Sequence, residues 1–305
     1  MKVLVTGGAG FIGSHLTEKL SAENEVIVFD NFSSGKKEFL EGIKCEIIEG
    51  DILNQEEIEN AMEGVDICYH IAADPDVKGS YEKPVENFEQ DCRGTLNVLE
   101  ACRKNNVKKL IFSSSSVVYG NAEMPTPETA PINPISNYGA AKASSENYLM
   151  SYSHLYGIKC LSLRYANIIG PKLTHGIIFD FYNKLKNNDK ELEILGDGTQ
   201  KKSYLHVKDC VDATVFLAEN MKDGFEAYNI GSDEQISVKE IADLIVNELG
   251  LKVHYNFTGG KIGWKGDVPK MLLSINKLKN LGWKPKHTIK ESIKDTLDYL
   301  RGDKI

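Results

Sequence analysis

The chain has 305 residues, of which 41% are hydrophobic and 26% charged, and its formal net charge is −8. This length allows one large domain or two closely packed ones, and the composition is that of an ordinary globular protein. The acidic balance argues against a nucleic-acid partner, and no apolar run approaches the roughly 18 residues of a membrane span. We therefore expect a cytoplasmic protein with no signal peptide and no membrane partner.

Six cysteines and seven histidines are scattered through the chain. No two cysteines form a Cys-x-x-Cys pair, and Cys68 and Cys160 lie in apolar segments, where the side chain acts as a small hydrophobe. The histidines show no spacing typical of metal ligands. The sequence therefore predicts free thiols in a reducing compartment and no metal site.

Apolar segments alternate with helical segments over the first half of the chain. The predicted strands are Lys2–Thr6, Glu25–Phe29, Cys45–Glu49, Asp66–Ile71, Lys109–Ser113 and Lys159–Arg164. The predicted helices between them are Gly13–Leu20, Gln55–Met62, Val85–Asn105 and Tyr138–Tyr156. Apolar strands without strict alternation, separated by helices, indicate a parallel sheet covered on both faces. This predicts an α/β fold with a Rossmann-like, doubly wound parallel sheet.

The pattern becomes less regular after Pro171. Helices are predicted at Ile178–Lys186, Val207–Met221, Val238–Leu249, Ile275–Leu281 and Ile289–Leu300, and a short strand at Ala227–Ile230. We interpret this part as a second, smaller mixed α/β substrate domain that interleaves with the first. The predicted Rossmann domain comprises residues 1–168 and about 205–232, and the substrate domain comprises residues about 169–204 and 233–305.

Three glycines at the end of the first strand carry the most specific local pattern. Gly7, Gly10 and Gly13 follow an apolar strand and open an amphipathic helix. Glycine lets the backbone turn tightly and lets a pyrophosphate approach the amides of a helix N-terminus. Asp30, at the end of the second strand, can accept from both hydroxyls of an adenosine ribose and would repel a 2′-phosphate. We therefore expect NAD in preference to NADP; a turn without a ligand is the alternative, since three glycines alone are a weak signal.

A Tyr-x-x-x-Lys pair near the start of a long predicted helix is a candidate for proton transfer. Tyr138 and Lys142 lie four residues apart, on one face of the helix. A phenol has a pKa of about 10, and a neighbouring ammonium group lowers it toward the range useful to a base. The spacing alone proves nothing, because the chain repeats it twice. The other pairs are Tyr182/Lys186 and Tyr204/Lys208.

Placement distinguishes the first pair from the others. Only Tyr138 follows a predicted sheet strand that ends in hydroxyl groups, those of Ser113–Ser116. A serine at the carboxyl end of a strand can hydrogen-bond a substrate hydroxyl and share its proton with a phenol. Two or three of these four serines are expected to satisfy turn amides, and one of the four is expected to be catalytic.

An ordered set of motifs runs along almost the whole chain. The motifs are Thr6-Gly-Gly-Ala-Gly-Phe-Ile-Gly13, Asp30-Asn31, Gly50-Asp51-Ile52, His70-Ile-Ala-Ala73, Ser113-Ser-Ser115 with Val118-Tyr-Gly120, Tyr138-x-x-x-Lys142, Leu163-Arg-Tyr-Ala-Asn167 with Gly170-Pro171, Gly196-Asp-Gly-Thr-Gln200 and Gly266-Asp267. Together they make the chain resemble the extended short-chain dehydrogenases/reductases of the NAD-dependent epimerase/dehydratase family, in particular the UDP-glucose (UDP-galactose) 4-epimerases. Several motifs in register are far more specific than any one of them.

The resemblance implies a role for each matching position. It implies that NAD binds at Gly7, Gly10, Phe11, Ile12, Gly13, Asp30, Asn31, Asp51, Ile52, Ala72, Tyr138 and Lys142. Ser115 matches the catalytic hydroxyl, Tyr138 the general base and acid, and Lys142 the residue that orients the nicotinamide ribose and lowers the pKa of the tyrosine. Asn167 matches a residue that contacts the nucleotide sugar, and Lys202 is a further candidate for substrate binding. The family expectation is a homodimer formed through the helices Val85–Asn105 and Tyr138–Tyr156.

The chain departs from the family pattern at three places. Asp91 stands where the family usually has Asn, and Lys202 and Trp264 stand where arginines are usual, with Lys261 and Lys265 close to the second. Arginine clamps a diphosphate with two parallel hydrogen bonds, whereas lysine offers a point charge. The simplest explanation is a preference for lysine throughout the chain, since only four of its 36 basic residues are arginine.

The resemblance therefore implies NAD-dependent epimerisation at C4 of a nucleotide sugar through a transient 4-keto intermediate. The acids that follow the catalytic hydroxyl in the related 4,6-dehydratases are replaced by Ser116 and Val117, which disfavours dehydration. A net NAD-dependent dehydrogenase or reductase of a sugar, or of an amino acid such as threonine, is the first alternative. A non-catalytic NAD-binding scaffold is the second.

Overall fold

The computed structural model describes residues 1–263 and 266–302. The strands are β1 (Lys2–Thr6), β2 (Glu25–Asp30), β3 (Glu46–Glu49), β4 (Ile67–His70), β5 (Lys109–Ser115), β6 (Lys159–Tyr165), β7 (Asn167–Ile169), β8 (Glu191–Ile194), β9 (Lys201–Lys202), β10 (Tyr204–His206), β11 (Phe225–Ile230), β12 (Ile236–Ser237), β13 (His254–Phe257) and β14 (Lys270–Met271). The α-helices are α1 (Phe11–Ser21), α2 (Gln55–Ala61), α3 (Pro84–Phe88), α4 (Gly94–Lys104), α5 (Asn137–Tyr156), α6 (Ile177–Asn187), α7 (Val207–Glu219), α8 (Val238–Glu248), α9 (Asn276–Lys279) and α10 (Ile289–Arg301).

The chain divides into two compact units. The first comprises residues 1–120, 131–164 and 211–228, and the second comprises residues 121–130, 165–210 and 229–305. The sequence prediction placed residues 121–130, 165–168, about 205–210 and 229–232 in the first domain, whereas the structure groups them with the second unit.

A seven-stranded sheet forms the centre of the first unit, with the strand order β11-β6-β5-β4-β1-β2-β3. β1 pairs in parallel with β2 on one side and with β4 on the other. The predicted Rossmann-like parallel sheet is thereby confirmed. The strand order reverses between β1 and β4. Sheets of this kind bind ligands in a crevice outside the carboxyl ends of the strands at such a point.

The core of the first unit consists of aliphatic, aromatic and thiol side chains from the sheet and its helices. It includes Leu4, Ile27, Phe29, Ile52, Ile58, Met62, Cys68, Val98, Leu99, Cys102, Leu110, Phe112, Leu149 and Cys160. Apolar and polar residues do not alternate strictly along these strands because helices cover both faces of the sheet, as the apolar runs predicted. Cys68 and Cys160 are buried, free thiols, in keeping with their expected role as small hydrophobes.

The second unit is built from short strand pairs and helices. β7 pairs in parallel with β10, β8 pairs in parallel with β13, and β9 lies between β12 and β14. Helices α8 and α10 each begin with a capping box, formed by Ser237 with Glu240 and by Thr288 with Glu291. These reciprocal hydrogen bonds satisfy amides at the first turn and so fix where each helix begins.

The long helix predicted over Val85–Asn105 is interrupted. It consists of α3, a π-helical turn at Glu89–Arg93, and α4. The π turn widens the helix by one residue, and such bulges occur frequently at functional sites. Within the described residues, no helix is both long and apolar enough to span a bilayer.

Candidate active site

The glycine turn joins β1 to α1 at the carboxyl edge of the sheet. Gly7 has a positive φ of 68°, and its amide donates to the carbonyl of Phe29 at 2.8 Å. A Cβ at Gly13 would lie 2.0 Å from the carbonyl oxygen of Gly7, so no side chain fits there. Helix α1 begins after Gly10 with no side-chain cap and no acidic residue in its first turn. The turn therefore presents helix N-terminal amides to an anionic ligand, with Phe11 and Ile12 in the first turn.

Asp30 fixes the loop that follows β2. Its two carboxylate oxygens accept hydrogen bonds from the amides of Ala9 (2.9 Å) and Phe32 (2.8 Å). Burial raises the pKa of Asp30, and the hydrogen bonds from Phe32 and Ala9 oppose that rise. The carboxylate thus ties the end of β2 to the glycine turn. A ribose at this edge would meet an acid already held in place.

The other positions assigned to the adenosine end lie on neighbouring strands of the same sheet. The side-chain amide of Asn31 donates to the carboxylate of Asp51 at 3.1 Å, and the side chain of Ile52 is buried in the core. Ala72 follows β4, and its amide donates to the hydroxyl of Thr6 at 3.3 Å. These residues come from loops that leave the sheet at its carboxyl edge, where the topology places the crevice.

The serines at the end of β5 have different roles. Ser113 donates to the carbonyl of His70 at 3.2 Å, and Ser114 donates to the carboxylate of Glu146 at 2.5 Å. Ser115 accepts from the amide of Val117 at 3.4 Å and so caps the 3-10 turn Ser116–Tyr119. The Ser115 hydroxyl also interacts with the phenol of Tyr138, and this interaction by itself would lower the pKa of Tyr138.

Tyr138 and Lys142 occupy the first two turns of α5, which Ser136 caps by accepting from the amide of Gly139. The Tyr138 amide donates to the hydroxyl of Ser80 at 3.3 Å, which fixes the start of the helix. The Lys142 Nζ lies 5.6 Å from the centroid of the Tyr138 ring. The structure therefore brings Ser115, Tyr138 and Lys142 together at the carboxyl edge of the sheet.

Burial opposes ionisation of both helical residues. It raises the pKa of Tyr138, and the negative charge of Asp91 adds to that rise. It lowers the pKa of Lys142, and Asp91 opposes that change. A phenol in this setting holds its proton until a ligand or a neighbouring cation stabilises the phenolate.

Glu146 continues the same face of α5, four residues after Lys142 and eight after Tyr138. Besides Ser114, it accepts from the hydroxyl of Ser162 at 2.9 Å and from the guanidinium of Arg164 at 2.6 Å. Sequence reasoning missed this residue, although its helical spacing from Lys142 is a signal that could have found it. Glu146 links α5 to β5 and β6.

His70 is a second residue that sequence reasoning did not assign a role. Its Nδ1 lies 2.7 Å from the hydroxyl of Thr6 and its Nε2 lies 3.0 Å from that of Thr95. Burial, and after it the charge of Lys142, lower the pKa of His70 to about 3, so the ring is neutral. Because the Thr95 hydroxyl donates to the carbonyl of Asp91, Nε2 must carry the ring proton and Nδ1 must accept from Thr6.

The second unit contains the two residues predicted to bind substrate. The side-chain amide of Asn167 donates to the backbone carbonyl of Ser203 at 3.1 Å. The Lys202 Nζ forms an ion pair with Asp267 at 2.6 Å, in which the carboxylate is buried and the lysine is partly exposed. Trp264 and Lys265, named above beside the second missing arginine, lie outside the described residues.

Comparison with known proteins identifies the family. A family model described as the NAD dependent epimerase/dehydratase family matches residues 3–231. The chain belongs to this family. The UDP-glucose 4-epimerase of Mycolicibacterium smegmatis is 32% identical to it over 99% of both chains.

Solved structures of family members resemble this chain over its whole length. A UDP-galactose 4-epimerase is 41% identical with a TM-score of 0.91, and the Thermotoga maritima UDP-glucose 4-epimerase, solved with UDP-glucose, is 37% identical with a TM-score of 0.92. Each comparison covers 99% of both chains.

Relatives with other substrates or reactions occur in the same range of similarity. The Bacillus cereus UDP-glucuronic acid 4-epimerase, solved with UDP-glucuronic acid and NAD, is 29% identical, with a TM-score of 0.92 over 99% of both chains. The UDP-N-acetyl-alpha-D-glucosaminuronate decarboxylase of Bacillus cytotoxicus is 32% identical over 98% of both chains. Family membership makes the chain an enzyme of the epimerase/dehydratase type that uses NAD.

The geometry of the glycine turn fits that cofactor. A Cβ at Gly13 would strike the carbonyl of Gly7, and a Cβ at Gly7 would lie 2.6 Å from the amide nitrogen of Ala72. Because these positions carry no side chain, the turn stays tight and a pyrophosphate can reach the amides of a helix N-terminus.

Proposed function

We propose that this enzyme catalyses NAD-dependent epimerisation at C4 of a nucleotide sugar of the UDP-glucose/UDP-galactose type, through a transient 4-keto intermediate. The observation that carries the proposal is the meeting of Ser115, Tyr138 and Lys142 at the carboxyl edge of the sheet. In this arrangement one phenol can remove a proton from a sugar hydroxyl and return it. The similarity to UDP-glucose and UDP-galactose 4-epimerases supports the same reaction.

The first unit would hold the cofactor through residues that the sequence analysis named. Gly7, Gly10 and Gly13 would hold the pyrophosphate with the first-turn amides, and Asp30 the adenosine ribose. When bound, NAD accepts a hydride from the sugar carbon and can return it. Lys142 would orient the nicotinamide ribose, because its ammonium group carries three N–H donors and lies next to the Tyr138 ring.

Tyr138 performs the proton transfer in this proposal. Ionisation of the phenol is favoured by the Ser115 hydroxyl and opposed by burial and by Asp91. A positive charge near the phenol, from Lys142 and from bound NAD, lowers the pKa of Tyr138 toward the working range of a base. The phenolate takes the proton from the 4-hydroxyl, and the same group returns it when the keto group is reduced.

Dehydration of the sugar would need an acid beside the catalytic hydroxyl to protonate the leaving oxygen. Ser116 and Val117 occupy the positions that follow Ser115, and neither can supply a proton at neutral pH. Both belong to the 3-10 turn that Ser115 caps. The residues that surround the proposed base therefore favour oxidation and reduction at one carbon over elimination.

The nucleotide end of the substrate would bind to residues of the second unit. We assign Asn167 and Lys202 to it. Because the Lys202 ammonium also neutralises Asp267, it offers a diphosphate only part of its positive charge. This pairing is the observation that favours the alternative, a net dehydrogenase or reductase of a smaller substrate.

The test is incubation of the purified protein with UDP-glucose, with and without added NAD, and chromatographic separation of the products. Formation of UDP-galactose without net NADH supports the 4-epimerase. Accumulation of NADH, seen by its absorbance, with no UDP-galactose supports the net dehydrogenase instead. Parallel reactions with UDP-N-acetylglucosamine and UDP-glucuronic acid test the choice of sugar.

Two variants test the role of the phenol. Tyr138→Phe should abolish turnover while NAD still binds, because only the hydroxyl is removed. Tyr182→Phe is the matched control, since Tyr182 also precedes a lysine by four residues but lies on α6 of the second unit. Retained epimerisation by Tyr138→Phe would refute the assignment.

A further inference from the structure

Two buried side chains of opposite charge interact in the first unit, and one of them is the proposed site residue Lys142. The Asp91 side chain lies in the π-helical turn between α3 and α4, and the Lys142 side chain lies on α5. Each residue is 1% exposed. A single buried ion is strongly disfavoured in a protein interior, so two buried groups of opposite charge that interact must be considered as a pair.

Asp91 is held rigidly from several sides. Its Oδ1 accepts from the amide of Asp74 and its Oδ2 from the side-chain amide of Asn87, both at 2.8 Å. Its carbonyl oxygen accepts from the hydroxyls of Thr95 (2.6 Å) and Ser145 (2.9 Å). Because Ser145 lies on α5 three residues after Lys142, the π turn is fixed directly to the catalytic helix.

Lys142 has a different environment. Its Nζ lies 4.8 Å from the centroid of the Phe112 ring and 5.6 Å from that of Tyr138. Among residues 1–263 and 266–302, no side chain or carbonyl accepts a hydrogen bond from this ammonium group. Burial lowers the pKa of Lys142 and Asp91 opposes that change, so the carboxylate stabilises the ammonium by charge, without a hydrogen bond.

We propose that Asp91 is a positioning residue for the reaction: its buried carboxylate keeps Lys142 positively charged while leaving the lysine N–H groups open to a ligand. This inference rests on the role assigned to Lys142 under the proposed function. A direct salt bridge would occupy one or more of the three N–H donors of Lys142. A carboxylate that stabilises the ammonium charge without a hydrogen bond leaves these donors available for ribose hydroxyls. The carboxylate does not touch the reacting atoms and acts through Lys142.

Other ionisable groups face this pair, and they set what a change at Asp91 can do. Asp74, in the loop after β4, and Cys92, next to Asp91, both interact with the Asp91 charge. Tyr138, on α5, interacts with the Asp91 charge, and His70, on β4, interacts with the Lys142 charge. His70 is neutral, and the thiol of Cys92 has a raised pKa because of burial and Asp91. Asp91 is therefore the acid whose charge opposes loss of the Lys142 proton.

Asp91→Asn is the direct test, because it removes the charge and keeps the shape. Among the residues that the structure describes, the side-chain oxygen of Asn87 has no hydrogen-bond partner, so a half-turn of that amide lets it accept from the new side-chain amide. The pKa of Lys142 is measured by NMR of protein labelled with 13C-lysine, with its resonance assigned by its absence in Lys142→Met. We expect Asp91→Asn to lower that pKa by about one unit or more, the usual effect of a close opposite charge.

Asp74→Asn is the matched control. Asp74 is a neighbouring acid that acts on Asp91 and Tyr138 but is not among the groups that shift the pKa of Lys142. This variant should leave the lysine resonance titrating as in the wild type. An unchanged Lys142 pKa in folded Asp91→Asn overturns the proposal, and so does an equal shift in Asp74→Asn.

A kinetic measurement separates a charge effect from a structural one. If Lys142 must be protonated, the alkaline limb of kcat/KM in Asp91→Asn moves to lower pH by the same interval as the lysine pKa. A structural role would instead lower kcat/KM equally at all pH values, which overturns the proposal. The NMR experiment needs no substrate, so absence of UDP-glucose turnover counts against the proposed function and not against this inference.

A second variant keeps the test valid if Asp91→Asn does not fold. Lys142 lowers the pKa of Asp91, so the reciprocal change should raise it. In Lys142→Met the Asp91 carboxyl, followed by 13C NMR, should titrate about one unit or more above its wild-type value. An unshifted Asp91 overturns the pairing on which the proposal stands.

Discussion

The guanidinium of Arg164 forms two parallel contacts with the carboxylate of Glu146. Nη2 lies 2.6 Å from Oε2 and Nε lies 3.0 Å from Oε1, and both side chains are almost completely buried. The remaining Nη1 donates to the hydroxyl of Tyr119 at 2.7 Å. This fork-to-fork geometry fixes orientation as well as distance. It connects β6 to α5, the helix that carries Tyr138 and Lys142.

Removing one partner of this pair should be costly. In Glu146→Ala the Arg164 charge would be left buried without its counter-ion, and Ser114 and Ser162 would each lose an acceptor. We expect the free energy of unfolding to fall by about 3–5 kcal/mol, the usual result of breaking a buried ion pair. Urea unfolding followed by circular dichroism measures this.

Lys37→Met is the matched control for that prediction. Lys37 and Glu49 form an ion pair at 2.9 Å, but both side chains are about two-thirds exposed. Loss of an exposed pair costs about 0–1 kcal/mol. If Glu146→Ala is no more destabilising than Lys37→Met, the buried network does not stabilise the fold as described.

The parts of the fold that could be predicted from the sequence are those set by local pattern. The apolar run of β1 followed by Gly7, Gly10 and Gly13 predicted the strand, the turn and the helix that the structure contains. Asp30 also ends its strand as expected. These features depend on residues close together in the chain, so their periodicity and glycine spacing are visible without tertiary contacts.

The parts that were missed depend on distant partners. Strand β9 consists of Lys201 and Lys202 alone, and it exists because β12 and β14 pair with it from further along the chain. The π turn at Glu89–Arg93 continues a helical pattern, so its extra residue leaves no local signal. The role of Glu146 depends on Arg164, which lies on another element 18 residues away. Such features follow from packing, which a single sequence pattern does not encode.

Gly13→Ala should weaken cofactor binding. A Cβ there would lie 2.0 Å from the carbonyl oxygen of Gly7 and 2.9 Å from the Cα of Gly8, and these are backbone atoms of the turn itself. We expect a loss of at least about 2 kcal/mol of binding, or roughly thirtyfold in the Kd for NAD. Isothermal titration calorimetry with NAD measures it.

Gly157→Ala separates this effect from general strain. Gly157 also has a positive φ, 69°, at the end of α5, but no atom of the described part of the chain lies within 4 Å of its added Cβ. The substitution should cost about 1–2 kcal/mol in stability, the penalty for a left-handed alanine, and leave the Kd for NAD unchanged. Equal losses of NAD affinity in both variants would contradict the role assigned to the turn.

The stability of the protein should depend on pH through Asp91. Burial, partly offset by Lys142, raises the pKa of Asp91 from 3.8 to about 6. Between these values the native state binds more protons than the unfolded state, so this group makes stability fall as pH rises through the window. The shift of about two units corresponds to about 3 kcal/mol.

Asp91→Asn isolates that contribution. The quantity to follow is the free energy of unfolding of Asp91→Asn minus that of the wild type. It should rise by up to about 3 kcal/mol as the pH increases from below 3.8 to above about 6. The reason is that only the wild type must bury a charged carboxylate at the higher pH. Asp74→Asn should retain most of the wild-type dependence on pH, because the Asp74 charge contributes less than burial to the raised pKa of Asp91. A difference that stays constant across the window would show that Asp91 does not titrate as expected.

Lys202 should affect substrate binding more than the chemical step. Its Nζ pairs with Asp267 at 2.6 Å, and it stands where the family usually has an arginine. Under the proposed function, Lys202→Met removes a positive charge from the diphosphate site and leaves the Asp267 carboxylate without its ion-pair partner. We expect the KM for UDP-glucose to rise by about tenfold or more, equivalent to about 1.4 kcal/mol, with a smaller change in kcat.

Lys201→Met and Lys202→Arg make that prediction specific. Lys201 precedes Lys202 on the same two-residue strand and is exposed, so its loss should leave the KM unchanged. Arginine at position 202 can keep the contact with Asp267 and present further N–H groups to a diphosphate, so its KM should equal or fall below the wild-type value. If Lys202→Met and Lys201→Met have the same KM, Lys202 serves only to neutralise Asp267. The substrate anion would then bind elsewhere in the second unit.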